Sequence, residues 1–414
     1  MLTIAFVLSA LFLFAAASPV DQEQSMTISL SKRSGLTDNT GIVDIPHLLH
    51  EVFFTKSKYE NGFKAYEVNT GAPHPLAKGF SAPLNLTRRA TGAVALTSEQ
   101  GGALWQGSIS VGTPAQAFTV DFDTGSSDLF LPSSSCTTNC KGHKLYNPSS
   151  SSTSVDKGKT FSLQYGDGSS VSGEQYSEAV TIARLSATGQ AIGAANRYSS
   201  GFSLDEYPPD GLLGMGYQSI SEYNSPPLVQ TLIAQGKIDQ PIFAFKLASS
   251  GSELSIGGLN TKLYTGAFTT VPVTTKGYWQ VNMDSVSANG KTPVGRVSSI
   301  IDTGTSLIIG DTANVKKFYA SISGSKDASK TIGPGFYTVP CKSIPNVQMS
   351  FGGRAFSIAP SLFNLGVAVR GSSDCVGAIV GGDDGFWIVG DVFLQNVYTS
   401  FNLGTNQVGF ATLK

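Results

Sequence analysis

Phe122-Asp-Thr-Gly-Ser-Ser-Asp-Leu-Phe130 decides the fold of this chain, because it has a counterpart in Ile301-Asp-Thr-Gly-Thr-Ser-Leu-Ile-Ile309. In both stretches apolar residues precede Asp-Thr-Gly, and hydroxyl-bearing and apolar residues follow it. A second pair of similar segments comes later, Leu212-Leu213-Gly214 after the first copy and Ile388-Val389-Gly390 after the second. A repeat of this kind indicates two lobes that share one internal plan.

The two aspartates of the repeat, Asp123 and Asp302, are the candidate catalytic residues. If the two loops face each other, both carboxyl groups cannot ionise together, so they share a proton and titrate as a pair. One carboxylate then deprotonates a water molecule while the other carboxyl donates a proton to an amide carbonyl, and no covalent intermediate forms. A single Asp-Thr-Gly is usually a surface turn, so the doubled context carries this prediction.

The residues around each aspartate have predicted supporting roles. The glycine after each Asp-Thr lets the chain turn sharply and brings backbone N–H groups close to the carboxylate. The hydroxyls of Ser126 and Thr305 can hydrogen-bond the outer carboxylate oxygens. Thr124 and Thr303 can instead reach across to the opposite lobe and lock the two loops together.

Composition and pattern predict an all-β fold with few short helices. Glycine is abundant at 46 residues, and β-branched residues alternate with polar ones in short runs between turns. Such runs lie at residues 104–111, 118–122, 161–165, 268–273, 278–282 and 407–411. Short helices are predicted near Pro227–Ile233 and Ala313–Ile322.

The N-terminal 89 residues differ from the rest of the chain. Residues 1–18 form an apolar run that ends in small residues, which predicts a secretory signal peptide rather than an anchor helix. Residues 19–89 are interpreted as a propeptide, with helix-like apolar spacing between His47 and Tyr66. The pair Arg88-Arg89 lies where low-complexity sequence gives way to strand-like alternation, and it is the predicted processing site. The mature part then divides into an N-terminal lobe over 90–270 and a C-terminal lobe over 271–414.

Four cysteines, Cys136, Cys140, Cys341 and Cys375, form an even set in a chain predicted to be exported. This set indicates two disulfides, with three possible connectivities. Proximity in the sequence favours Cys136–Cys140 and Cys341–Cys375.

Composition and motif content argue against several other classes of function. The net charge is −1 and charged residues are 14% of the chain, which gives no electrostatic basis for binding nucleic acid or an anionic membrane. Beyond residue 89 there is one histidine, His143, which lacks the context of a Ser-His or Cys-His triad. No His-Glu-x-x-His motif or cysteine–histidine set supports a metal site. A carboxylate-pair glycosidase would not need two matching Asp-Thr-Gly loops.

The residues from Trp105-Gln-Gly-Ser-Ile-Ser-Val-Gly-Thr-Pro114 to the last strand resemble the pepsin family of eukaryotic aspartic proteases. The similarity is greatest to secreted, polyporopepsin-like fungal members. The resemblance implies a bilobal β-fold with a central cleft, synthesis as a zymogen, and cleavage of internal peptide bonds at acidic pH. It also implies protein and peptide substrates, no cofactor, a monomer, and an extracellular location, which is favoured over the vacuole. The rival interpretation is a relative of this fold that has lost catalysis and only binds; the intact Asp-Thr-Gly loops favour the enzyme.

The same resemblance assigns further residues to the site. Gln164-Tyr165-Gly166-Asp167-Gly168 is similar to the flap, a hairpin that closes over substrate, with Tyr165 as its tyrosine and Gly166 and Asp167 at its tip. Asp167 is expected to confer some tolerance for lysine before the cleaved bond. Gly304 and Thr305 are expected to contact substrate. Phe130 occupies a position where the family often has a tryptophan that hydrogen-bonds the flap tyrosine, and phenylalanine has no such donor.

Two further residues are singled out near the predicted catalytic pair. Lys58, followed by Tyr59, resembles the lysine–tyrosine pair that family zymogens insert into the cleft, with Lys56 and Lys64 as rival candidates. Asp121, two residues before Asp123, either projects into the cleft or is a satisfied polar residue; the sequence favours neither.

Overall fold

The computed structural model describes residues 26–32, 36–38, 40–80, 105–164, 169–248, 250–382 and 384–414. The predicted signal peptide, the Arg88-Arg89 pair and the predicted flap residues Tyr165, Gly166 and Asp167 lie outside the described residues. The described residues between 26 and 80 are called the N-terminal segment below.

The described chain is built mainly from strands. The strands are β1 (Met26–Lys32), β2 (Trp105–Val111), β3 (Gln116–Asp123), β4 (Leu129–Pro132), β5 (Val155–Gln164), β6 (Ser170–Ile182), β7 (Leu185–Tyr198), β8 (Gly211–Gly214), β9 (Ile242–Lys246), β10 (Ser252–Ile256), β11 (Tyr264–Pro272), β12 (Gln280–Met283), β13 (Ser285–Ala288), β14 (Lys291–Val294), β15 (Val297–Ile301), β16 (Ile308–Asp311), β17 (Lys326–Asp327), β18 (Tyr337–Pro340), β19 (Val347–Phe351), β20 (Arg354–Ile358), β21 (Asn364–Val367), β22 (Asp374–Gly377), β23 (Ile379–Gly382), β24 (Trp387–Val389), β25 (Val397–Asn402) and β26 (Gln407–Leu413). The α-helices are α1 (Ile45–Thr70), α2 (Leu228–Ala234), α3 (Thr312–Ala320), α4 (Pro360–Phe363) and α5 (Asp391–Leu394).

This content confirms the all-β prediction, and α2 and α3 lie where short helices were predicted. The helix α1 is longer than the predicted helical pattern, at 26 residues. It begins after Asp44, whose side chain accepts a hydrogen bond from the backbone N–H of His47, and it ends at Gly71 in the left-handed conformation. Both ends therefore satisfy backbone groups that a helix terminus leaves open. No helix in the described part of the chain is long and apolar enough to cross a membrane.

The repeated sequence pattern has a direct structural basis in the first lobe. Strand β3 pairs in parallel with β8, so Phe122 lies beside Leu213, and β4 pairs with β8 from the other side in the antiparallel sense. The loop between β3 and β4 contacts the end of β8, where the N–H of Gly214 donates a hydrogen bond of 2.9 Å to the carbonyl of Asp128. An added Cβ on Gly214 would lie 2.4 Å from the nitrogen of Ser127, so only glycine fits there.

The second lobe repeats this arrangement. Strand β15 pairs in parallel with β24, and β16 pairs with β24 in the antiparallel sense. The N–H of Gly390 bonds to the carbonyl of Leu307 at 3.1 Å, and a Cβ on Gly390 would lie 2.0 Å from the carbonyl oxygen of Thr305. Each apolar-apolar-Gly segment is therefore the strand against which one Asp-Thr-Gly loop is folded.

One sheet connects the two halves of the chain. In the 13-stranded sheet the order begins β11-β26-β25-β9-β10-β1-β2, so C-terminal strands and the N-terminal segment join the strands that carry Asp123. Strand β11 runs across the predicted lobe boundary at residue 270, and that boundary stays a prediction. Trp105 links the lobes through a buried hydrogen bond of 2.7 Å from its indole nitrogen to Asp391.

The structure joins the cysteines as Cys136–Cys140 and Cys341–Cys375, and none in the described residues is free. The first pair closes a loop beside the apolar cluster of Phe130, Phe202 and their neighbours. The second pair ties the end of β18 to β22.

Candidate active site

The structure brings Asp123 and Asp302 together at the ends of β3 and β15. Both are buried, and each carboxylate is held by its own loop. The N–H of Gly125 donates to Asp123 Oδ1 at 2.9 Å, and the Ser126 hydroxyl donates to Oδ2 at 2.5 Å. In the second loop the N–H of Gly304 donates to Asp302 Oδ1 at 3.0 Å, and the Thr305 hydroxyl donates to Oδ2 at 2.6 Å. The two sites are thus built alike.

The two threonines cross between the loops. The Thr124 hydroxyl donates to the carbonyl of Ile301 at 2.9 Å, and the Thr303 hydroxyl donates to the carbonyl of Phe122 at 2.6 Å. Each hydroxyl oxygen also accepts the backbone N–H of the opposite threonine, at 3.0 and 3.1 Å. Since all these atoms are buried, the four bonds fix the position of one aspartate relative to the other.

Close approach, rather than an unusual backbone angle, explains the glycine in each loop. A Cβ on Gly125 would lie 2.6 Å from both carboxylate oxygens of Asp302, and a Cβ on Gly304 would lie 2.2 Å from Asp123 Oδ1. Neither glycine has a left-handed φ. The predicted backbone N–H donor is present in each loop. The predicted reason for the glycine, its φ freedom in a sharp turn, is not the one that the structure shows, because the opposite carboxylate leaves no room for a Cβ.

The side chain of Lys58 lies between the two carboxylates. Its ammonium nitrogen is 2.9 Å from Asp123 Oδ1 and 2.8 Å from Asp302 Oδ2, and it also donates to the carbonyl of Gly304 at 3.2 Å. The rival candidates lie elsewhere. Lys56 is 3.9 Å from Asp384, and Lys64 is exposed and pairs with Glu60 on the same helix.

Two tyrosines complete this contact. The Tyr59 hydroxyl donates to Asp302 Oδ2 at 2.9 Å, and the Tyr278 hydroxyl donates to the backbone carbonyl of Tyr59 at 3.2 Å. Their rings pack with centroids 4.8 Å apart. A Cβ on Gly62 would lie 1.9 Å from the Tyr278 hydroxyl, so the helix can approach the cleft this closely only with glycine at that position.

The electrostatic environment separates the two aspartates. Burial raises the pKa of Asp123 to about 6, against the opposing effect of the Lys58 charge. Burial also acts to raise the pKa of Asp302, but the Lys58 charge and hydrogen bonds from Asp123, Lys58 and Thr305 outweigh it and leave that pKa below its ordinary value. For Lys58 itself, burial opposes the charge, and the two aspartates more than compensate, so its pKa is raised and it stays protonated.

Other contacts hold the N-terminal segment along the cleft. Glu51 Oε2 accepts a hydrogen bond of 2.9 Å from the Ser306 hydroxyl. The Asn61 amide donates to the carbonyl of Gln164, at the end of β5, at 2.6 Å. The Asn69 amide donates to the carbonyls of Ser219 and Ser221 at 3.1 and 2.8 Å. The segment therefore contacts both lobes as well as the two aspartates.

Strands β5 and β6 form an antiparallel hairpin in which Gln164 pairs with Ser170. The predicted flap residues Tyr165, Gly166 and Asp167 belong to the connection between them and lie outside the described residues. Phe130 is buried and packs edge-on against Tyr198 and Phe202. In this lobe its role is apolar packing.

Asp121 is buried below the aspartate pair rather than in an open cleft, with 2% of its surface exposed. Its Oδ1 atom has no hydrogen-bond partner among the described residues. Burial, with the nearby Asp123 charge, raises its pKa well above the ordinary value. Neither interpretation made from the sequence fits Asp121 fully. The residue is buried and so does not project into an open cleft, and one of its carboxylate oxygens is unsatisfied.

Sequence reasoning missed Asp128 and Tyr278. The Asp128 carboxylate, in the loop that carries Asp123, accepts hydrogen bonds from the Ser221 hydroxyl at 2.6 Å and the N–H of Glu222 at 2.7 Å. Burial raises its pKa to about 6, although these bonds act in the opposite direction. Its position inside the repeated motif was the available signal. No sequence pattern indicated a role for Tyr278, since that role depends on a contact with Tyr59 of α1, 219 residues away in the chain.

Within the part of the chain that the structure describes, no group of three or more histidine, cysteine, aspartate or glutamate side chains is arranged to hold a metal ion. The site presents two carboxyl groups, their hydroxyl and N–H donors, and one lysine.

The family model for eukaryotic aspartyl protease matches residues 105–413. The chain belongs to this family. An aspartic protease from Phaffia rhodozyma is 47% identical over 330 residues, which are 78% of this chain and 80% of that protein. Pepsin A from Bos taurus is 36% identical, covering 74% of this chain and 83% of its own length. Major aspartyl peptidase 1 from Cryptococcus neoformans is 34% identical, covering 79% and 72%. The chain is thus an aspartic-type, pepsin-like hydrolase, as its sequence motifs predicted.

Proposed function

We propose that this chain is the inactive precursor of a secreted endopeptidase that hydrolyses internal peptide bonds of proteins at acidic pH. The observation that carries the proposal is the Lys58 ammonium, which is hydrogen-bonded to both Asp123 and Asp302. In that position it prevents a peptide bond and a water molecule from reaching either carboxyl group. Residues 19–89 act as the propeptide, and Asp123 and Asp302 are the catalytic pair.

The open enzyme uses the position that Lys58 occupies in the precursor. That point is within hydrogen-bond distance of both carboxyl groups, so a water molecule there meets one ionised and one protonated aspartate. The ionised carboxylate removes a proton from the water, which attacks the amide carbonyl, while the protonated carboxyl donates to the carbonyl oxygen. The hydroxyl and N–H donors of the two loops hold both groups in place, and the threonine crossing keeps their separation fixed.

Acidification is the proposed trigger of opening, and the lowered pKa of Asp302 gives its direction. Asp123, with a pKa of about 6, takes up a proton first as the pH falls. Lys58 then faces one negative charge instead of two. Asp302 has a lowered pKa, so its stabilising interaction is complete above the ordinary value of 3.8 and is lost as the pH falls below it. Opening therefore takes place as the pH falls below about 3.8.

Substrate enters beneath the β5–β6 hairpin in this proposal. Asn61 of the propeptide bonds to Gln164 at the end of β5, so the propeptide occupies the space under the hairpin in the precursor. Tyr165, Gly166 and Asp167 close over the substrate after the propeptide leaves, and Gly304 and Thr305 contact it. Residues 1–18 direct export, the enzyme acts outside the cell as a monomer, and processing occurs at Arg88-Arg89.

The test is to secrete the full-length protein from a host and lower the pH stepwise. We expect a precursor that is silent at neutral pH, a shorter form below about pH 3.8 whose N-terminus follows Arg89, and hydrolysis of denatured haemoglobin that a statine-type inhibitor blocks. A folded protein that binds the inhibitor but hydrolyses nothing would replace the proposal with a binding function. Inhibitor-insensitive hydrolysis would assign the chemistry to other residues.

A further inference from the structure

The strand β21 is an edge strand that the N-terminal segment covers. It is the last strand of the sheet β17-β18-β22-β21 and pairs with β22 on its inner side. On the outer side, the N–H of Val43 donates to the carbonyl of Val367 at 2.9 Å, and the N–H of Val367 donates to the carbonyl of Gly41 at 3.0 Å. The Thr37 hydroxyl donates to the carbonyl of Leu365. Ile42 forms an isolated parallel bridge with Val367, and the N–H of Gly41 bonds back to the carbonyl of Asp38 at 3.1 Å, so the segment covers this edge with a short stretch of main chain that follows a turn.

Apolar contacts accompany these backbone bonds. Leu36 and Val43 are both buried, at 5% and 4% exposure, in a cluster that includes Phe336 and Val376. Leu365 packs against the same cluster. The edge thus offers main-chain donors and acceptors together with sockets for aliphatic side chains, which is the combination by which sheet edges recognise extended peptides.

The binding segment is preorganised by its own short-range bonds. Asp38 Oδ1 accepts hydrogen bonds from the N–H of Thr40 at 2.8 Å and of Ile42 at 2.9 Å, and Thr37 pairs with Val43. On β21, Gly366 has a φ of +108°, and an added Cβ would lie 2.5 Å from the carbonyl oxygen of Gly41. Both partners are shaped for close backbone contact.

This edge lies well away from the aspartate pair. Helix α1 begins at Ile45, and Lys58 comes 13 residues later in the same helix. At about 1.5 Å per residue the helix spans roughly 20 Å between the two points. An extended substrate needs about six residues, at roughly 3.3 Å each, to cover this distance. Short peptides therefore do not reach the edge, whereas protein substrates do.

We propose that in the mature enzyme the β21 edge, meaning the backbone of Leu365–Val367 and the socket beside Leu365, binds an aliphatic segment of the protein substrate remote from the cleaved bond, through main-chain hydrogen bonds and aliphatic contacts. The proposal rests on the proposed function, since the edge is exposed only after the propeptide leaves. The propeptide segment Leu36–Asp44 shows what the site accepts. We expect the mature enzyme to prefer long, unfolded substrates over short ones, and this preference should not depend on the residues next to the cleaved bond.

The experiment compares two substrates of the mature enzyme, denatured haemoglobin and a fluorogenic octapeptide. A synthetic nonapeptide with the sequence of residues 36–44 is added as competitor. We expect it to inhibit hydrolysis of haemoglobin at concentrations that leave octapeptide hydrolysis unchanged. The control is the same nonapeptide methylated on the Val43 nitrogen, which cannot donate to Val367; losing one such hydrogen bond weakens inhibition about fivefold.

A variant gives a second measurement. Val367→Pro removes the N–H that faces Gly41, and proline is tolerated at an outward-facing edge position. We expect the nonapeptide to lose its effect on this variant while the kcat/KM for the octapeptide stays unchanged. Val369→Ala, at a residue 66% exposed, is the matched control and should behave like the parent.

Three results would overturn the proposal. The nonapeptide could inhibit both substrates equally, which places it in the cleft, or inhibit neither. Native mass spectrometry could also find the Leu36–Asp44 fragment still bound to the mature enzyme, so that the propeptide and not the substrate occupies the edge. Failure of the proposed function is distinct, because the enzyme would then hydrolyse neither substrate.

Discussion

Replacing Lys58 with methionine tests how the precursor is held silent. Methionine has a similar length but no charge, so the variant loses hydrogen bonds to Asp123 and Asp302 at 2.9 and 2.8 Å and to the Gly304 carbonyl at 3.2 Å. Removing one partner of a buried ion pair typically costs about 3–5 kcal/mol. The two aspartates can relieve part of this by sharing a proton, so the lower end applies. At about 3 kcal/mol, the open fraction of the precursor rises roughly 100-fold.

The assay follows cleavage of a quenched fluorogenic peptide by the full-length precursor at about pH 6, where the interaction of Lys58 with Asp302 is complete and the parent is expected to be closed. We expect Lys58→Met to show activity and self-processing under these conditions. Lys64→Met is the control, because the Lys64 side chain is 69% exposed and its pair with Glu60 is worth only about 0.5 kcal/mol. A Lys58→Met precursor as silent as the parent would refute the reasoning, as would an equal gain in Lys64→Met.

Three further predictions concern the framework of the site. Thr303→Val should destabilise the enzyme by about 1–3 kcal/mol in denaturant unfolding and lower kcat, because it leaves the Phe122 carbonyl without its 2.6 Å donor, whereas Thr303→Ser should retain both properties. Asp128→Asn should flatten the pH dependence of thermal stability. Because the pKa of Asp128 is raised to about 6, the parent should lose up to about 3 kcal/mol of stability as the pH rises from 4 to 6, and the variant should not. Both proteins are compared in an Asp123→Asn background, so that Asp123 does not contribute to the difference. Serine replacement of the Cys341–Cys375 disulfide, with a separation of 34 residues, should cost about 4 kcal/mol, against about 2 kcal/mol for Cys136–Cys140 with a separation of 4; equal losses would contradict the loop-closure argument.

Much of the site could be predicted because its essential groups are local in sequence. The hydrogen bonds of Ser126 and Thr305 span three residues, and a tight loop after a strand leaves few other partners for these hydroxyls. The crossing of Thr124 and Thr303 followed from the duplication itself, since two like loops that face each other can exchange equivalent bonds. The reason for the two glycines could not be predicted, because it is the distance to the opposite carboxylate.

The remaining features depend on how distant elements pack. Lys56, Lys58 and Lys64 all lie on α1, and their sequence does not say which face of the helix meets the aspartates. The face of α1 that meets the aspartates is determined by Gly62, which lets Tyr278 approach, and by the positions of the helix ends. The burial of Asp121 likewise reflects what covers β3 rather than any neighbour in sequence. The β21 edge could not be predicted either, because it pairs residues 41–43 with Val367.

The most direct test of the central claim is to replace Asp123 and Asp302 by asparagine, one at a time, and to measure kcat for hydrolysis of denatured haemoglobin at acidic pH. Each variant should fold, bind a statine-type inhibitor less tightly, and lose about 10²- to 10⁴-fold or more in kcat, since each removes one member of a pair that must share a proton. A folded variant of either kind that keeps nearly full, inhibitor-sensitive activity would contradict the account.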